Sequence, residues 1–513
     1  MHKPERVPTP PNVQLTGPYD SMRDYVNALE ATGRLLRIKA MDQDRYEATG
    51  FAYRLVDKFG FNDAPAFLVE KMKVDGQWMT GPILANIYGP WDTEAMGYGV
   101  EHVTTDRREM YRAAVDKLVG LADRNGHWQP IAPVRVEDGN APCKEVRIEG
   151  SDVDILKYPW LKCNPADGGR YINSGAVIFQ DPELGRNMGT YRCQVKSATR
   201  IAMNPEVGQH GHIFLMAAKG RGERSIKAAV VLGTDPITWA MSCSKVSHLG
   251  QDEYEMAGAF RGKPVELVKC ETSDILVPAH AEMVIEGEIP LTDTEEEGPH
   301  AEMYGYLGRK REANFYMDIQ AITHRREPWF FNNHTGVLRG FHTAAMDAWA
   351  TLAYKQSIRS LVAIHTLGEA PGICVASINK RFAGDGLAAG QQISASNIMA
   401  KVTIIVDQDV DVLNPAQWLH AVGSRWQPDP ATLIIPHARA TFLEPSAVHP
   451  RVVSKIIIDA TKQFPAEGGP ANWPAVSREL LEASCPEVFE LVDEKWPEYW
   501  QDWGSSEFAS PRS

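Results

Sequence analysis

The sequence predicts an α+β chain in which a large amino-terminal domain is joined by a helical linker to a smaller α/β domain. Three observations carry this. The texture from about Val146 to Ile322 is β-rich. Residues 340–364 then show a helical pattern, from His342 through Val362. Beyond it, strand-like Ile373–Ile378, a helix near 388–399 and strand-like Lys401–Val406 make a βαβ-type unit. The expected divisions are 1–335, 336–364, 365–470 and a helical tail over 471–513.

Taken in order, the chain opens with a Pro-rich stretch from Pro4 to Pro18. Ser21 follows as an N-cap with Asp24 three residues on. Met22, Tyr25, Val26 and Leu29 recur at helical spacing, and Gly33 stops the helix before strand-like Leu35–Ile38. A second helical pattern covers Arg107–Ala122. Val265–Cys270 and Ala281–Glu286 read as strands. The tail holds an amphipathic stretch, Leu480–Trp503, whose Trp496, Tyr499, Trp500 and Trp503 suit docking on a neighbouring subunit or domain better than a cofactor site. There is no internal repeat.

Composition limits the function classes. The 513 residues are 43% hydrophobic and 23% charged, ordinary for a globular chain able to bury several cores. A net charge of −13 argues against nucleic acid or an anionic membrane as the main partner. No apolar run reaches the ~18 residues of a spanning helix, and the first residues show no secretory h-region, so the expected location is cytoplasmic. The seven cysteines are scattered, with no C-x-x-C, and read as small buried apolar groups in a reducing cytosol.

Four clusters carry chemistry. In Glu295-Glu296-Glu297-Gly298-Pro299-His300-Ala301-Glu302 the Gly-Pro turn lets Glu297 and Glu302 approach one space. Repulsion and burial would then raise one pKa and keep a carboxyl group protonated as a general acid; the alternative is an acidic solvated turn. In Asn187-Met188-Gly189-Thr190-Tyr191-Arg192, strand alternation sets Tyr191 opposite Thr190 and Arg192, whose fork suits a carboxylate or phosphate. His210-Gly211-His212 invites a zinc reading but lacks a third ligand nearby. Asp252-Glu253-Tyr254-Glu255 opens a helix, where acidic residues also favour the dipole.

Together these pieces resemble the UbiD-like family of reversible decarboxylases that use prenylated flavin mononucleotide. The likeness is ordered: Met22–Ile38, Asn187-x4-Arg192, Asp252-Glu253-Tyr254, Val268–Ala279, Glu282–Gly287, Glu297-Gly298-Pro299-x2-Glu302, Val406-Asp407-Gln408-Asp409-Val410 and Asp459-Ala460-Thr461. It implies a flavin-binding domain with a split β-barrel-like core, a helical linker and a carboxy-terminal α/β dimerisation domain, with hinging between domains. It implies reversible non-oxidative decarboxylation through a covalent adduct with prenylated FMN. Arg192 would orient the substrate carboxylate and help hold Glu297, and Glu302 would protonate the carbon. Asn187, Thr190, Tyr191, Arg192, Gln209, His212, Ser244 and Glu253 would contact the cofactor. Asn187, His212 and Glu253 would hold a divalent manganese or magnesium ion, with His210 the alternative imidazole. Potassium would sit near Ser242-Cys243-Ser244 and Glu253.

The donor types agree with that set: amide oxygen, imidazole and carboxylate suit octahedral manganese or magnesium better than zinc. No side chain offers an electron sink for the carbanion left by carbon dioxide, so a cofactor must. Two departures stand out. Some relatives carry a Lys just after the aromatic-Ala-Gly turn, where Phe382-Ala383-Gly384-Asp385-Gly386 is followed by Leu387; Lys380 or Arg381 would have to replace it if it touches phosphate. His300 inside the carboxylate loop either tunes a pKa or faces solvent. Phe330–Thr335 is expected at the cleft, where Asn333 and His334 would suit a ring bearing hydroxyls or heteroatoms. The expected partners are an aromatic or heteroaromatic acid, a flavin prenyltransferase as cofactor supplier, and a second subunit in a homodimer or dimer-based oligomer. An FMN-dependent oxidoreductase and a subunit of a multi-subunit carboxylase are the alternatives.

Overall fold

The computed structural model describes residues 13–499 except 102, 103, 105, 448 and 450. Helix Met22–Ala31 begins as its sequence dictates. The Ser21 hydroxyl accepts from the Asp24 amide and the Ser21 amide donates to the Asp24 carboxylate, closing a capping box. Met22, Tyr25, Val26 and Leu29 are all buried, and Gly33 takes the left-handed φ of 71° that turns the chain into strand Leu35–Asp42. That strand lies at the edge of a four-stranded sheet with Ala66–Val74, Gln77–Ala85 and Phe330–Phe331.

A ten-stranded sheet forms the centre. Its main path is Tyr171–Ile172, Cys193–Ser197, Arg200–Met203, Arg311–His324, Met283–Pro290, Ser225–Leu232, Ala176–Asp181 and Gly185–Thr190, all neighbours antiparallel. Glu295–Glu297 and Val146–Glu149 pair with the long strand Arg311–His324. Both faces are covered, so the run Ala228–Leu232 in the centre of the sheet is apolar throughout instead of alternating. Ala229 and Val231 point into one hydrophobic core while Ala228, Val230 and Leu232 point into the other. The path does not close on itself among the described residues, and the sheet lies open between two cores.

The second half holds a five-stranded mixed sheet in the order Leu361–Thr366, Ile373–Ile378, Val402–Asp407, Val452–Asp459, Thr432–Arg439. Ile373–Ile378 and Val402–Asp407 pair in parallel across helix Asp385–Ser396, the βαβ unit read in the sequence. The long linker helix is corrected: it covers only Ala344–Lys355, and Leu361–Thr366 is an edge strand paired antiparallel with Ile373–Ile378. The polar turn at Ser357–Ser360 breaks the helical period, and β-branched Val362 and Ile364 suit a strand. The tail is also not one helix. It divides into Ser477–Ser484, Val488–Glu494 and Trp496–Tyr499, since Pro486 and Pro497 each lack the N–H a continuing helix needs. Trp500 and Trp503 lie outside the described residues.

Candidate active site

Strand Gly185–Thr190 ends just before Arg192, and the next strand starts at Cys193. The alternation puts Tyr191 into a core, where its hydroxyl accepts from the Gly211 amide at 2.8 Å. Arg192 goes the other way, into the carboxylates. Its Nε and Nη2 donate to the two oxygens of Glu297, each at 2.9 Å, and its Nη1 donates to Glu302. The Tyr171 hydroxyl adds a third bond to Glu297 at 3.0 Å. Glu297 is fully buried, whereas the Glu302 side chain keeps 17% of its surface open. Burial raises the Glu302 pKa above the ordinary carboxylate range, against the lowering charge of Arg192. Burial opposes the Arg192 charge, but its bonds to Glu297 and the charge of Glu302 outweigh that and raise its pKa.

The loop between the carboxylates is anchored at nearly every step. The Gly298 amide donates to Gln194, the Pro299 carbonyl accepts from Gly168 at 2.7 Å, and the Ala301 amide donates to Asp167. Gly168 must be glycine, because a Cβ there would lie 2.2 Å from the Gly298 carbonyl oxygen. His300 is buried, not solvent-facing. Its ring stacks on Tyr171 at 4.1 Å, its Nδ1 is 3.5 Å from Asp167, and neither ring nitrogen has a hydrogen-bond partner.

A second polar cluster lies at the other end of strand Gly185–Thr190. Asn187 is buried with its Nδ2 3.4 Å from Glu253 Oε1, and the Met188 amide donates to Glu253 Oε2 at 2.8 Å. Glu253 is the first residue of helix Glu253–Arg261, capped by Asp252. Burial raises its pKa, and the His210 Nδ1 lies 3.8 Å away. No Lys or Arg pairs with this buried carboxylate among the described residues; amide, imidazole and carboxylate are donor types a hard divalent cation accepts, although no three His, Cys, Asp or Glu side chains gather for one among those residues.

Of the two imidazoles, the fold brings His210 to Glu253, whereas His212, two residues on along helix His210–Gly220, faces Phe315 on the other side. Two residues turn a helix by about 200°, so the pair cannot share one face. Gln209 caps its own turn, its Oε1 accepting from the Glu206 amide at 2.7 Å. Thr190 shares a bond with Ser242 at 2.9 Å, and the buried Ser244 hydroxyl has no hydrogen-bond partner.

A cavity of about 250 Å³ opens beside Glu302, where Tyr306, Arg309 and Arg311 of the first half meet Phe442, Leu443 and Glu444 of the second. Sequence reasoning missed Tyr171, Asp167, Gln194, Arg311 and Phe442, which reach the site only through long-range packing. It also set Phe330–Thr335 at the cleft, and this too is corrected. Phe330 and Phe331 form a core strand, and His334 is buried near Phe67, where burial brings its pKa down to about 4. Lys380 is likewise committed elsewhere, to Glu467 and Thr461.

Residues 134–338 match the model of the 3-octaprenyl-4-hydroxybenzoate carboxy-lyase Rift-related domain, and residues 343–460 match that of the carboxy-lyase C-terminal domain. The chain is 31% identical to a phenolic acid decarboxylase of Streptomyces sp. (strain D7), over 91% of this chain and 99% of the relative. Its fold superposes on the open form of vanillic acid decarboxylase (ShVdcCD) from Sedimentibacter hydroxybenzoicus with a TM-score of 0.77 and 26% identity, covering 92% and 99% of the two chains. An evolved dimeric form of the UbiD-class enzyme HmfF from Pelotomaculum thermopropionicum, in complex with prFMN, superposes with a TM-score of 0.74 and 25% identity, covering 92% and 98%.

Proposed function

Since the chain belongs to the UbiD family of carboxy-lyases, we propose that it decarboxylates an aromatic acid, a phenolic one before a heteroaromatic one, with prenylated FMN as cofactor. One observation supports this most: a single guanidinium is shared between a fully buried carboxylate and a second one that borders the cavity and is raised in pKa. The phenolic acid decarboxylases among the relatives support that class, and the polar Tyr306, Arg309 and Arg311 at the cavity suit a ring carrying oxygen substituents.

Arg192 uses three of its five N–H groups on Glu297 and Glu302. A substrate carboxylate arriving at Arg192 competes with Glu302 for it. Losing that contact removes the main influence holding the Glu302 pKa down, so the buried carboxyl group takes up a proton as substrate binds. The bidentate contact with Glu297 keeps the guanidinium plane fixed meanwhile. When the carbon–carboxylate bond breaks, carbon dioxide leaves, and Glu302 gives its proton to the ring carbon and regains one from solvent.

The bound flavin would supply the electron sink that no side chain can. Asn187, His210 and Glu253 would hold a manganese or magnesium ion on its phosphate, with potassium near Ser242–Ser244. The assembly we propose is a homodimer. Anaerobic purification from cells supplying a flavin prenyltransferase should yield a released flavin carrying the extra ring mass. The Glu302→Gln variant should keep that flavin and lose turnover. Only ordinary FMN in the first test, or full activity in the second, would refute the corresponding part. Carbon dioxide exchange by this chain alone separates it from a subunit that needs a partner.

A further inference from the structure

The tail is built unlike the rest of the chain. Its three helices, Ser477–Ser484, Val488–Glu494 and Trp496–Tyr499, bury no side chain. Leu480, Leu481, Leu491 and Tyr499 are exposed, while Arg478 covers Phe489 at 4.5 Å and ties the first helix to the second. Helices this short do not hold in water without packing, since isolated ones need about 12–15 residues even with good formers. The tail is also acidic: over 477–499 seven carboxylates stand against Arg478 and Lys495.

A groove richer in cation and apolar surface lies on the second domain. It measures about 500 Å³ and is lined by Ile358, Arg359, Arg381, Phe382, Asp385 and Gln392, with the Asp385 carboxylate turned to the Arg381 and Phe382 amides. Phe382 is 70% exposed, and neither arginine side chain has an ion-pair partner among the described residues. The chain passes this groove before the tail begins: Glu467 accepts from the Gly384 amide at 2.7 Å. It then folds back, with Trp473 Nε1 donating to the Gln463 carbonyl, and leaves the groove unfilled.

We propose that the acidic, leucine-bearing tail of one chain docks into the Arg359–Arg381–Phe382 groove of a second copy of this chain. The leucines would cover Phe382 and the tail carboxylates would meet the two free guanidinium groups, matching apolar to apolar and anion to cation. By two-fold symmetry each copy gives a tail and receives one. The inference rests on the homodimer reading.

The test uses the full chain in light scattering across a dilution series. Three variants are compared with it: a stop after Val476, the pair Arg359→Glu/Arg381→Glu, and the triple Glu479→Lys/Glu482→Lys/Glu490→Lys. Circular dichroism checks that each keeps its fold. Each should weaken dimerisation by about tenfold or more, and combining the two charge reversals in one chain should restore most of the loss. Dimers of unchanged affinity in all three variants would overturn the docking but leave the homodimer standing. A wild-type chain that stays monomeric throughout would overturn the homodimer and, with it, the docking.

Discussion

At the scale of single residues, the site is an arrangement of competing charges, and two predictions follow from which groups meet. His210→Ala should lose bound manganese, measured by elemental analysis of enzyme reconstituted with the metal, while His212→Ala should keep it. The reverse result would return the ligand to His212. The second concerns pH. As the proposed general acid, Glu302 would act only while protonated, so turnover should hold at low pH and fall as pH rises through its raised pKa. Burial lifts that pKa; the charges of Arg192 and His300 lower it, and Glu206 raises it. His300→Gln removes one lowering charge, so the alkaline limb of the kcat profile should move to higher pH. A limb that stays in place would reduce His300 to packing on Tyr171. The sequence pointed to Arg192, Glu297, Glu302, Asn187 and Glu253 because each lies in a short run that the family resemblance matches. Which of two histidines faces Glu253 was not legible there, because it depends on where helix His210–Gly220 starts and hence on its phase.

At the scale of elements, local signals and tertiary pairing divide the work. Helix Met22–Ala31 was readable because its cap, its apolar stripe and its glycine stop all lie within about a dozen residues. Ser21→Ala should therefore cost about 1 kcal/mol of stability, seen as a lowered unfolding midpoint at unchanged denaturant slope; no loss would mean the Asp24 side chain alone caps the helix. Strand Leu361–Thr366 was misread as helix because nothing local marks the edge that Ile373–Ile378 offers it. The carboxylate loop is the converse case: its sequence is distinctive, but its shape is imposed by Asp167 and Gly168 in a distant loop and by Gln194 in strand Cys193–Ser197. Gly168→Ala would drive a methyl group into the Gly298 carbonyl. It should reduce turnover by shifting Glu302 relative to Arg192 while flavin content holds. Wild-type turnover would show that the loop yields without moving its carboxylates.

At the scale of the whole molecule, the cavity beside Glu302 has walls from both halves, so its shape depends on how the halves are held together. The contact that holds them there is aromatic. Phe442, in the loop between strands Thr432–Arg439 and Val452–Asp459, has the Arg311 guanidinium 4.3 Å from its ring centre and that of Arg451 at 5.8 Å. Arg311 belongs to the central sheet and is itself paired with Glu206. Arg451 reaches back across the cleft to the Val207 carbonyl. On the far side Arg112 pairs with Asp411 at 2.8 Å, a contact that can act as a pivot while the Phe442 side opens. A cation over an aromatic face contributes about 1 kcal/mol when partly desolvated, so losing both should shift the closed-to-open ratio by roughly thirtyfold. Phe442→Ala is then expected to enlarge the radius of gyration in solution scattering and to raise KM more than it lowers kcat, because closure excludes water and completes the site without making the bond-breaking contacts. Phe442→Tyr should behave as the native chain, since it keeps the aromatic face. Scattering curves and KM that match the native chain in the alanine variant would rule out this clasp as what keeps the cleft closed over Glu302.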